Sequence, residues 1–326
     1  MKDKIAISKT PLRVSFVGGG TDMPYFYNKY NGATISCAIN RYVYVTVKFH
    51  NNYQEKYRLN YSKTEITNSL NQIKNLRIKN VIRMLKIKKP LYINTFADIP
   101  ANTGLGSSSS FTVGLIKALS ELKNKKLSKK QIAEMAFRVE SKITNNSLGK
   151  QDHYIAAYGG FNLITYNKKK ISVKQIKLNK KKLLKFTNNI ILIWTYIMRL
   201  SVNVLQDQKK NKNKNFSKLK LMNEYTNKFN KELTKKKINI IKLFEFIKKT
   251  WHIKKNLSKF ITNKKIEKII HDLSKKGFIV GKLLGAGNGG FLLALTPQKK
   301  KKYLLRNINK MKFFTFEVDQ KGTLIL

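Results

Sequence analysis

The residues best suited to chemistry lie in segment 100–110, where two glycines and four consecutive serines follow an apolar run. Residues 111–119 predict a helix, so the serines fall where a helix leaves its first backbone N–H groups unpaired. Glycine lets the backbone approach an anion, and seryl hydroxyls can reach a metal or a phosphate oxygen. The segment therefore indicates a phosphate-binding loop, although a plain Ser/Gly loop with a serine N-cap has the same composition.

Two common nucleotide-binding patterns are missing from this part of the sequence. Segment 100–110 does not end in the Gly-Lys-Ser/Thr of a Walker A loop, and no G-x-G-x-x-G follows a predicted strand here. The sequence therefore disfavours both a P-loop and a Rossmann nucleotide site.

Charged side chains adjoin two other glycine-containing turns. Arg13 lies in an alternating strand that runs into the glycines 18–20, and Asp22 follows that turn. Asp152 stands at a loop-to-helix junction. An arginine that faces a cleft needs an anion, because burial of an unpaired charge is costly. Each residue also has a structural alternative, namely a surface arginine and carboxylates that cap a turn or a helix.

The length and composition limit the class of protein. A chain of 326 residues exceeds the usual single domain and predicts two domains that share a cleft. The one cysteine, Cys37, cannot form an internal disulfide, which favours a reducing compartment. The start lacks a secretory signal, and the apolar stretch 190–198 is too short to cross a bilayer. We therefore expect a soluble, cytoplasmic protein that does not contact a membrane. The four histidines lack zinc-site spacing, so no structural metal is expected.

The net charge is strongly positive. Lysine and arginine number 67 against 17 acidic residues, which gives +50 and would normally suggest a nucleic-acid partner. The lysines, however, are spread over the whole chain together with abundant asparagine and isoleucine. This distribution indicates a general drift of the composition toward these residues rather than one selected basic patch. No specific nucleic-acid partner is expected, but the field would attract phosphorylated small molecules.

The N-terminal part reads as strands followed by helices. Residues 12–17 predict a strand, and residues 34–49 predict two more that meet at Asn40-Arg41. The other predicted elements here are a strand at 91–97, a helix at 108–122, a helix at 128–141 with a capping box of Ser128 and Gln131, a short helix after residue 149, and a strand at 161–166.

The C-terminal part is separated by a lysine-rich stretch. Residues 168–185 carry little apolar periodicity and fit a connection or an edge hairpin, so we place the domain boundary there. The elements predicted beyond it are a strand at 190–196, helices within 202–273, strands at 278–284 and 291–295, a helix near 297–309, and strands at 313–318 and 323–326.

Four segments resemble, in order and spacing, the signature motifs of the GHMP kinases, the family of galactokinase, homoserine kinase and mevalonate kinase. These segments are 11–24, 102–110, 149–152 and 285–290. The resemblance implies an α+β protein with the GHMP kinase fold. Residues 1–170 would form the ATP-binding domain, similar to domain 2 of ribosomal protein S5. Residues 171–326 would form a ferredoxin-like domain, with ATP between the two.

Further segments are similar to one branch of that family, the D-glycero-D-manno-heptose 7-phosphate kinases. They are 35–39, 156–162, 251–257 and 282–287. The branch implies transfer of the γ-phosphoryl group of ATP to the anomeric hydroxyl of heptose 7-phosphate. The product would be the 1,7-bisphosphate, used to make nucleotide-activated heptose.

The resemblance also implies the role of individual residues. Asp152 matches the catalytic aspartate and Arg13 the basic residue beside it. Ser108 and Glu140 match the ligands of Mg²⁺, with a solvated helix face as the alternative for Glu140. The positions expected to bind ATP are Asn102, Gly104, Leu105, Gly106, Ser107, Ser108 and Ser109. The positions expected to bind the acceptor are Gly19, Gly20, Thr21, Asp22, Gly287 and Arg199.

Two positions depart from the heptose-kinase pattern. Asn102 and Asn288 stand where that pattern usually has glycine, and asparagine tolerates the left-handed backbone region better than other side chains. Arg199 matches an Arg-x-Ser element and could bind the 7-phosphate, although a surface arginine is the commoner case.

Two other functions stay open. Another sugar-1-kinase, fucokinase-like or specific for a different higher sugar, would carry the same motifs. A basic nucleic-acid-binding protein that kept the fold and lost catalysis would explain the charge, but it would be expected to lose some of Arg13, Ser108, Glu140 and Asp152. The sugar, the anomer and the oligomeric state are not specified by the sequence.

Overall fold

A computed structural model describes residues 4–50, 55–198 and 201–326 of the chain. Its strands form two sheets, one with eight strands and one with four. The eight-stranded sheet has the order β12-β1-β2-β5-β3-β4, and β6 pairs with both β2 and β7. Its strands are β1 (Ile5–Val17), β2 (Gly32–Phe49), β3 (Tyr57–Asn60), β4 (Thr64–Thr67), β5 (Leu91–Ala97), β6 (Phe161–Tyr166), β7 (Ile171–Gln175) and β12 (Leu324–Ile325).

Strand β2 corrects one expectation from the sequence. Residues 34–49 were expected to form two strands, but they belong to one strand with an irregularity at Asn40-Arg41. Pro11 pairs with Tyr42 and Leu12 pairs with Ile39, so Asn40 and Arg41 stand outside the β1–β2 register. Asn40 instead exchanges hydrogen bonds with Glu317. The polar pair therefore marks a bulge, because the β1–β2 register shifts there; the Asn40 N–H donates to Glu317 O instead of to β1.

The smaller sheet has the order β11-β8-β10-β9 and is antiparallel throughout. Its strands are β8 (Ile190–Trp194), β9 (Ile279–Leu283), β10 (Phe291–Leu295) and β11 (Phe313–Phe314). Strands β11 and β12 are shorter than the segments 313–318 and 323–326 that the sequence predicted.

Eleven helices are found in the described part of the chain, besides two short 3-10 turns at Leu70–Gln72 and Gln298–Lys300. They are α1 (Pro24–Tyr27), α2 (Leu76–Leu85), α3 (Ser107–Leu122), α4 (Lys129–Ile143), α5 (Gln151–Tyr158), α6 (Lys180–Thr187), α7 (Ser201–Lys210), α8 (Lys212–Thr234), α9 (Ile240–Lys255), α10 (Lys264–Lys275) and α11 (Lys301–Arg306). The capping box predicted for Ser128 and Gln131 is present at the start of α4.

Helices α3, α4 and α5 pack on one another, and α3 and α5 also contact β1 and β2 of the larger sheet. The small residues of α3 allow a close approach to β1, where the Ser110 hydroxyl donates to the Pro11 carbonyl at 2.8 Å. This contact fixes the start of α3 over the strand that carries Arg13.

The two sheets share part of their core through α8 and α9. Both helices contact β1, and α9 also packs on β9. Phe16 of β1 stacks on Phe161 at 5.1 Å between ring centroids and lies 6.2 Å from Phe229 of α8. These aromatic contacts join the end of β1 to β6 and α8.

The division at residue 170 stays a prediction. Strand β7 pairs with β6, and β12 pairs with β1. Two segments beyond residue 170, one at each end of the C-terminal half, therefore belong to the larger sheet. In the ranges that the structure describes, no helix is long and apolar enough to span a bilayer.

Candidate active site

A cavity opens between the loop after β1, the N-terminus of α3, the start of α5 and the loop after β9. Polar and charged side chains line it, among them Arg13, Asp22, Ser108, Asp152 and Lys254. All four motif segments found in the sequence contribute to the wall.

The N-terminus of α3 presents backbone donors to this cavity. Its N-cap is Gly106 in the left-handed region (φ 77°), so no side chain caps the helix. Ser110 N donates to Gly106 O, whereas the preceding three N–H groups, of residues 107–109, lie in the first turn, where a helix offers no acceptor. Three uncapped donors and a helix dipole favour a bound anion.

Arg13 joins this loop to the catalytic candidates. Its Nη1 donates to the Gly104 carbonyl at 2.5 Å, and its backbone N donates to Leu105 O at 3.0 Å. A Cβ on Gly106 would stand 3.2 Å from Arg13 Cγ, so glycine fits both the backbone angle and the space. On the opposite side, Phe291 N donates to Thr103 O at 3.1 Å. The loop is therefore held by both sheets.

Arg13 and Asp152 form a bidentate ion pair. Nε donates to Oδ1 at 2.7 Å and Nη2 donates to Oδ2 at 2.6 Å. The Arg13 side chain is 6% exposed and the Asp152 side chain 26%, so the carboxylate is the partner that faces the cavity. A fork-to-fork contact of this kind fixes the orientation of both groups.

Asp22 lies on the same wall and is held by the backbone. It accepts hydrogen bonds from Gly20 N at 3.0 Å and from Gln151 N at 3.1 Å. Burial raises the pKa of the Asp22 carboxyl, and the nearby charge of Asp152 adds to the rise, while these two hydrogen bonds oppose it. A Cβ at Gly149 would stand 2.0 Å from Asp22 Oδ2, so only glycine fits beside this carboxylate.

Glu140 is the centre of a buried polar cluster behind the loop. Its Oε2 accepts from Ser109 Oγ and from His153 Nε2, both at 2.8 Å, and its Oε1 accepts from Arg77 Nε at 2.5 Å. The Glu140 side chain is only 1% exposed. Burial alone would raise its pKa, but the hydrogen bond from His153 and the charge of Arg77 hold it far below the ordinary value. Glu140 is therefore an ionised carboxylate one hydroxyl away from the cavity.

The Glu140 cluster should contribute to stability only where the carboxylate is ionised. Because the pKa of Glu140 is lower in the folded than in the unfolded state, the cluster stabilises the fold fully at pH values above the unfolded-state pKa. This stabilisation is lost as the pH falls toward the folded-state pKa. Glu140→Gln should therefore lower the free energy of unfolding by about 3 kcal/mol near pH 7, with a smaller loss at pH 4. Urea unfolding across this range measures the difference.

The exposed Glu121, paired with Lys4 at 3.3 Å, gives a matched control. Glu121→Gln should change the free energy of unfolding by less than about 1 kcal/mol at every pH. An equal effect of the two substitutions, or a Glu140→Gln loss that grows in acid, would contradict this account of the cluster.

Most of the site residues predicted from the sequence do line this cavity. They are Arg13, Gly19, Gly20, Asp22, Asn102, Gly104, Gly106, Ser107, Ser108, Ser109 and Asp152. Asn102 and Asn288 both adopt positive φ, 63° and 61°, as expected for residues at glycine positions.

The other predicted site residues lie elsewhere. Leu105 is fully buried, and the Thr21 hydroxyl bonds the backbone of Gly18 and Ala33, so it supports the turn from behind. Gly287 packs against Ile261. Glu140 reaches Ser109, whereas the Ser108 side chain is exposed in the cavity. Arg199 falls outside the described residues.

The cavity and its supports include residues that the sequence did not indicate. Gln151 and Lys254 line the wall, and the Gln151 Nε2 amide is buried without a hydrogen-bond partner. Gln151 adjoins Asp152 in the sequence and could have been suspected. Arg77 and His153 hold Glu140, but only the folded chain brings α2 near α4.

Comparison with known proteins agrees with this geometry. Residues 57–160 match the family model described as the GHMP kinases N terminal domain. The D-glycero-alpha-D-manno-heptose 7-phosphate kinase of Campylobacter jejuni is 29% identical over 317 residues, which cover 93% of each chain. Residues 57–160 therefore form a GHMP kinase N-terminal domain, and the protein is a phosphotransferase with an alcohol group as acceptor.

Solved structures share the whole fold. A putative sugar kinase from Campylobacter jejuni aligns with a TM-score of 0.73 at 26% identity, covering 100% of this chain and 99% of that one. A D-glycero-D-manno-heptose 1-phosphate kinase from Bacteriodes thetaiotaomicron aligns with a TM-score of 0.78 at 22% identity, over 98% of both chains. The GHMP kinase fold predicted from the sequence, with an N-terminal sheet and a separate C-terminal sheet, is confirmed.

Proposed function

We propose that this protein transfers the γ-phosphoryl group of ATP to the anomeric hydroxyl of D-glycero-D-manno-heptose 7-phosphate. The observation that carries the proposal is that two groups line one cavity. They are the uncapped start of α3 and the Asp152 carboxylate, which Arg13 holds in place.

The α3 loop is the proposed seat of the ATP phosphates. The N–H groups of residues 107–109 and the Ser108 hydroxyl would contact phosphate oxygens, and the helix dipole favours their charge. Gly104 and Gly106 leave room for the backbone to approach. Asn102 adopts the backbone angle that glycine would have, which supports a loop of the same shape.

The donor set also fits Mg²⁺. Glu140 is ionised, and a carboxylate offers about four lone-pair sites, of which the three hydrogen bonds to Arg77, His153 and Ser109 use three. Hard oxygen donors and phosphates are what Mg²⁺ prefers. Ser108 would contact the ion from the cavity wall, and Glu140 would supply negative charge from behind the Ser109 hydroxyl; the ion would neutralise phosphate charge when bound.

Asp152 would act on the acceptor hydroxyl. As the new bond forms between the anomeric oxygen and the γ-phosphorus, the bond from that phosphorus to the leaving ADP oxygen breaks. The hydroxyl proton passes to the Asp152 carboxylate. Arg13 holds this carboxylate in place and supplies positive charge beside the phosphoryl group.

Two observations support heptose 7-phosphate as the acceptor: the similarity to one sugar kinase and the residues of the cavity wall. The Campylobacter jejuni kinase named for heptose 7-phosphate covers nearly the full chain. Asp22 can accept hydrogen bonds from sugar hydroxyls, and the buried Gln151 amide is a donor that needs an acceptor. Gly19 and Gly20 keep side chains out of this wall, which suits a large acceptor.

A panel of sugars tests the proposal. Coupled ADP release should be fastest with D-glycero-D-manno-heptose 7-phosphate, and ³¹P NMR should show a new phosphate at the anomeric carbon. L-fucose, D-galactose, mevalonate and unphosphorylated heptose serve as comparisons. A higher kcat/KM for any of these would refute the assigned acceptor, and faster turnover of L-fucose would identify a fucokinase-like enzyme.

A further inference from the structure

One side chain of the cavity wall is buried with part of its hydrogen-bonding capacity unused. Gln151 is 4% exposed and lines the cavity beside Asp152. Within the part of the chain that the structure describes, no group accepts a hydrogen bond from the Gln151 Nε2 amide. A buried donor without an acceptor costs free energy, and folded proteins rarely keep one. The amide is therefore a candidate for contact with a bound molecule.

The backbone of Gln151 is fixed, whereas its carboxamide is not. The Gln151 N–H donates to Asp22 Oδ2 at 3.1 Å, and a Cβ at Gly149 would stand 2.0 Å from the same oxygen. Gln151 is the first residue of α5 and Asp152 is the second. The carboxamide can rotate about its last side-chain bond without loss of any hydrogen bond from Nε2. The donor therefore has a fixed base and can turn toward a bound molecule.

The charges around Gln151 decide which ligand atom suits the amide. The charge of Asp152 contributes to the raised pKa of the Asp22 carboxyl, so the two groups lie close together. Asp22 is held by backbone N–H groups rather than by a cation, so a phosphate beside it would be repelled. A sugar hydroxyl is uncharged, and it can donate to a carboxylate while it accepts from an amide. This part of the wall therefore suits a hydroxyl better than a phosphate.

We infer that the Gln151 amide donates a hydrogen bond to a hydroxyl oxygen of the acceptor sugar and makes that hydroxyl a requirement for efficient turnover. The inference rests on the proposed kinase function. Gln151 is then a residue that determines specificity, while Asp152 takes the proton of a different hydroxyl. A sugar that lacks the partner hydroxyl would leave the buried amide unpaired, and sites of this kind strongly reject such analogues.

The test combines a change in the protein with a change in the sugar. Wild type and Gln151→Met are compared on heptose 7-phosphate and on its monodeoxy analogues, each of which lacks one hydroxyl other than the anomeric one. Wild-type kcat/KM should fall by about 10- to 100-fold for the analogue without the partner hydroxyl. Gln151→Met should lower kcat/KM for the parent sugar by a similar factor and should not discriminate against that analogue. The same hydrogen bond is lost in both cases, so the two effects should not add.

Gln175→Met is the matched control for loss of a carboxamide. Gln175 lies outside the cavity wall and bonds the Gln320 side chain at 3.2 Å on the surface. This variant should keep wild-type kcat/KM for every sugar. Additive effects of Gln151→Met with every analogue would overturn the inference, and so would wild-type kcat/KM of Gln151→Met for the parent sugar.

The thermal stability of the free protein separates this role from a structural one. If Gln151 served only the fold, methionine at this position would lower Tm. Because the amide nitrogen has no partner, an apolar side chain should instead leave Tm unchanged or raise it. A lower Tm combined with unchanged discrimination among the sugars would identify a structural role and overturn the inference.

A second variant covers the case in which Gln151→Met does not fold. Gln151→Asn keeps the amide but withdraws it by one methylene, so weaker discrimination against the same analogue supports the inference, and wild-type discrimination refutes it. If the sugar panel selects another sugar, monodeoxy forms of that sugar replace the heptose analogues. The assigned acceptor can therefore fail while the role of Gln151 is still decided.

Discussion

Asp152→Asn should reduce kcat by about 10³- to 10⁴-fold while leaving the affinity for ATP within a few-fold of wild type. The amide cannot take the proton of the sugar hydroxyl, and it loses one of the two acceptors of the Arg13 guanidinium. The phosphate seat on α3 does not include this carboxylate. Steady-state kinetics and calorimetric titration with a non-hydrolysable ATP analogue measure the two quantities.

Asp272→Asn gives the control for a change of carboxylate to amide. Asp272 is exposed on α10, so this variant should keep wild-type turnover. Retention of most activity by Asp152→Asn would show that another group takes the proton. A parallel loss of ATP affinity would show that Asp152 acts on the donor rather than on the acceptor.

Arg13→Met should damage both halves of the site, unlike the aspartate variant. It removes the cation from Asp152 and the donor that holds the Gly104 carbonyl. We expect kcat/KM to fall by about 10²- to 10³-fold, ATP affinity to fall as well, and the free energy of unfolding to drop by about 3 kcal/mol. Arg13→Lys should regain part of the stability but little of the rate, because an ammonium cannot make the bidentate contact.

Arg58→Met provides a matched substitution on the same sheet. Arg58 pairs with Glu55 at 2.8 Å, but its side chain is 45% exposed, so the loss of this pair should cost less than about 1 kcal/mol. An Arg13→Met variant as active and as stable as Arg58→Met would contradict the role given to the Arg13–Asp152 pair.

Local patterns predicted the elements that carry most of the site. The serine loop gave the start of α3, and the Ser128 capping box is present in the structure because both partners lie within one helical turn. The polar pair Asn40-Arg41 was misread as a break between strands. The Asn40 N–H donates to Glu317 O and the Asn40 side chain accepts from Glu317 N, 277 residues along the chain, and no local pattern reveals such a partner.

Long-range contacts explain what the sequence left out of the site. Helix α2 was not predicted, and its Arg77 meets Glu140 only because α2 packs on α3 and α4. Lys254 is one of many lysines in the chain, so the composition did not single it out, and only the structure shows it buried in the cavity wall. The contacts of a side chain were predictable where its neighbours in the sequence determine them, and they were not predictable where the tertiary fold determines them.

A crystal structure with a non-hydrolysable ATP analogue and heptose 7-phosphate tests the central claim most directly. We predict β- and γ-phosphate oxygens within about 3 Å of the N–H groups of residues 107–109. The anomeric hydroxyl should lie within hydrogen-bond distance of Asp152, with the γ-phosphate between the two. A triphosphate bound away from the start of α3, or an Asp152 carboxylate out of reach of both ligands, would contradict the account.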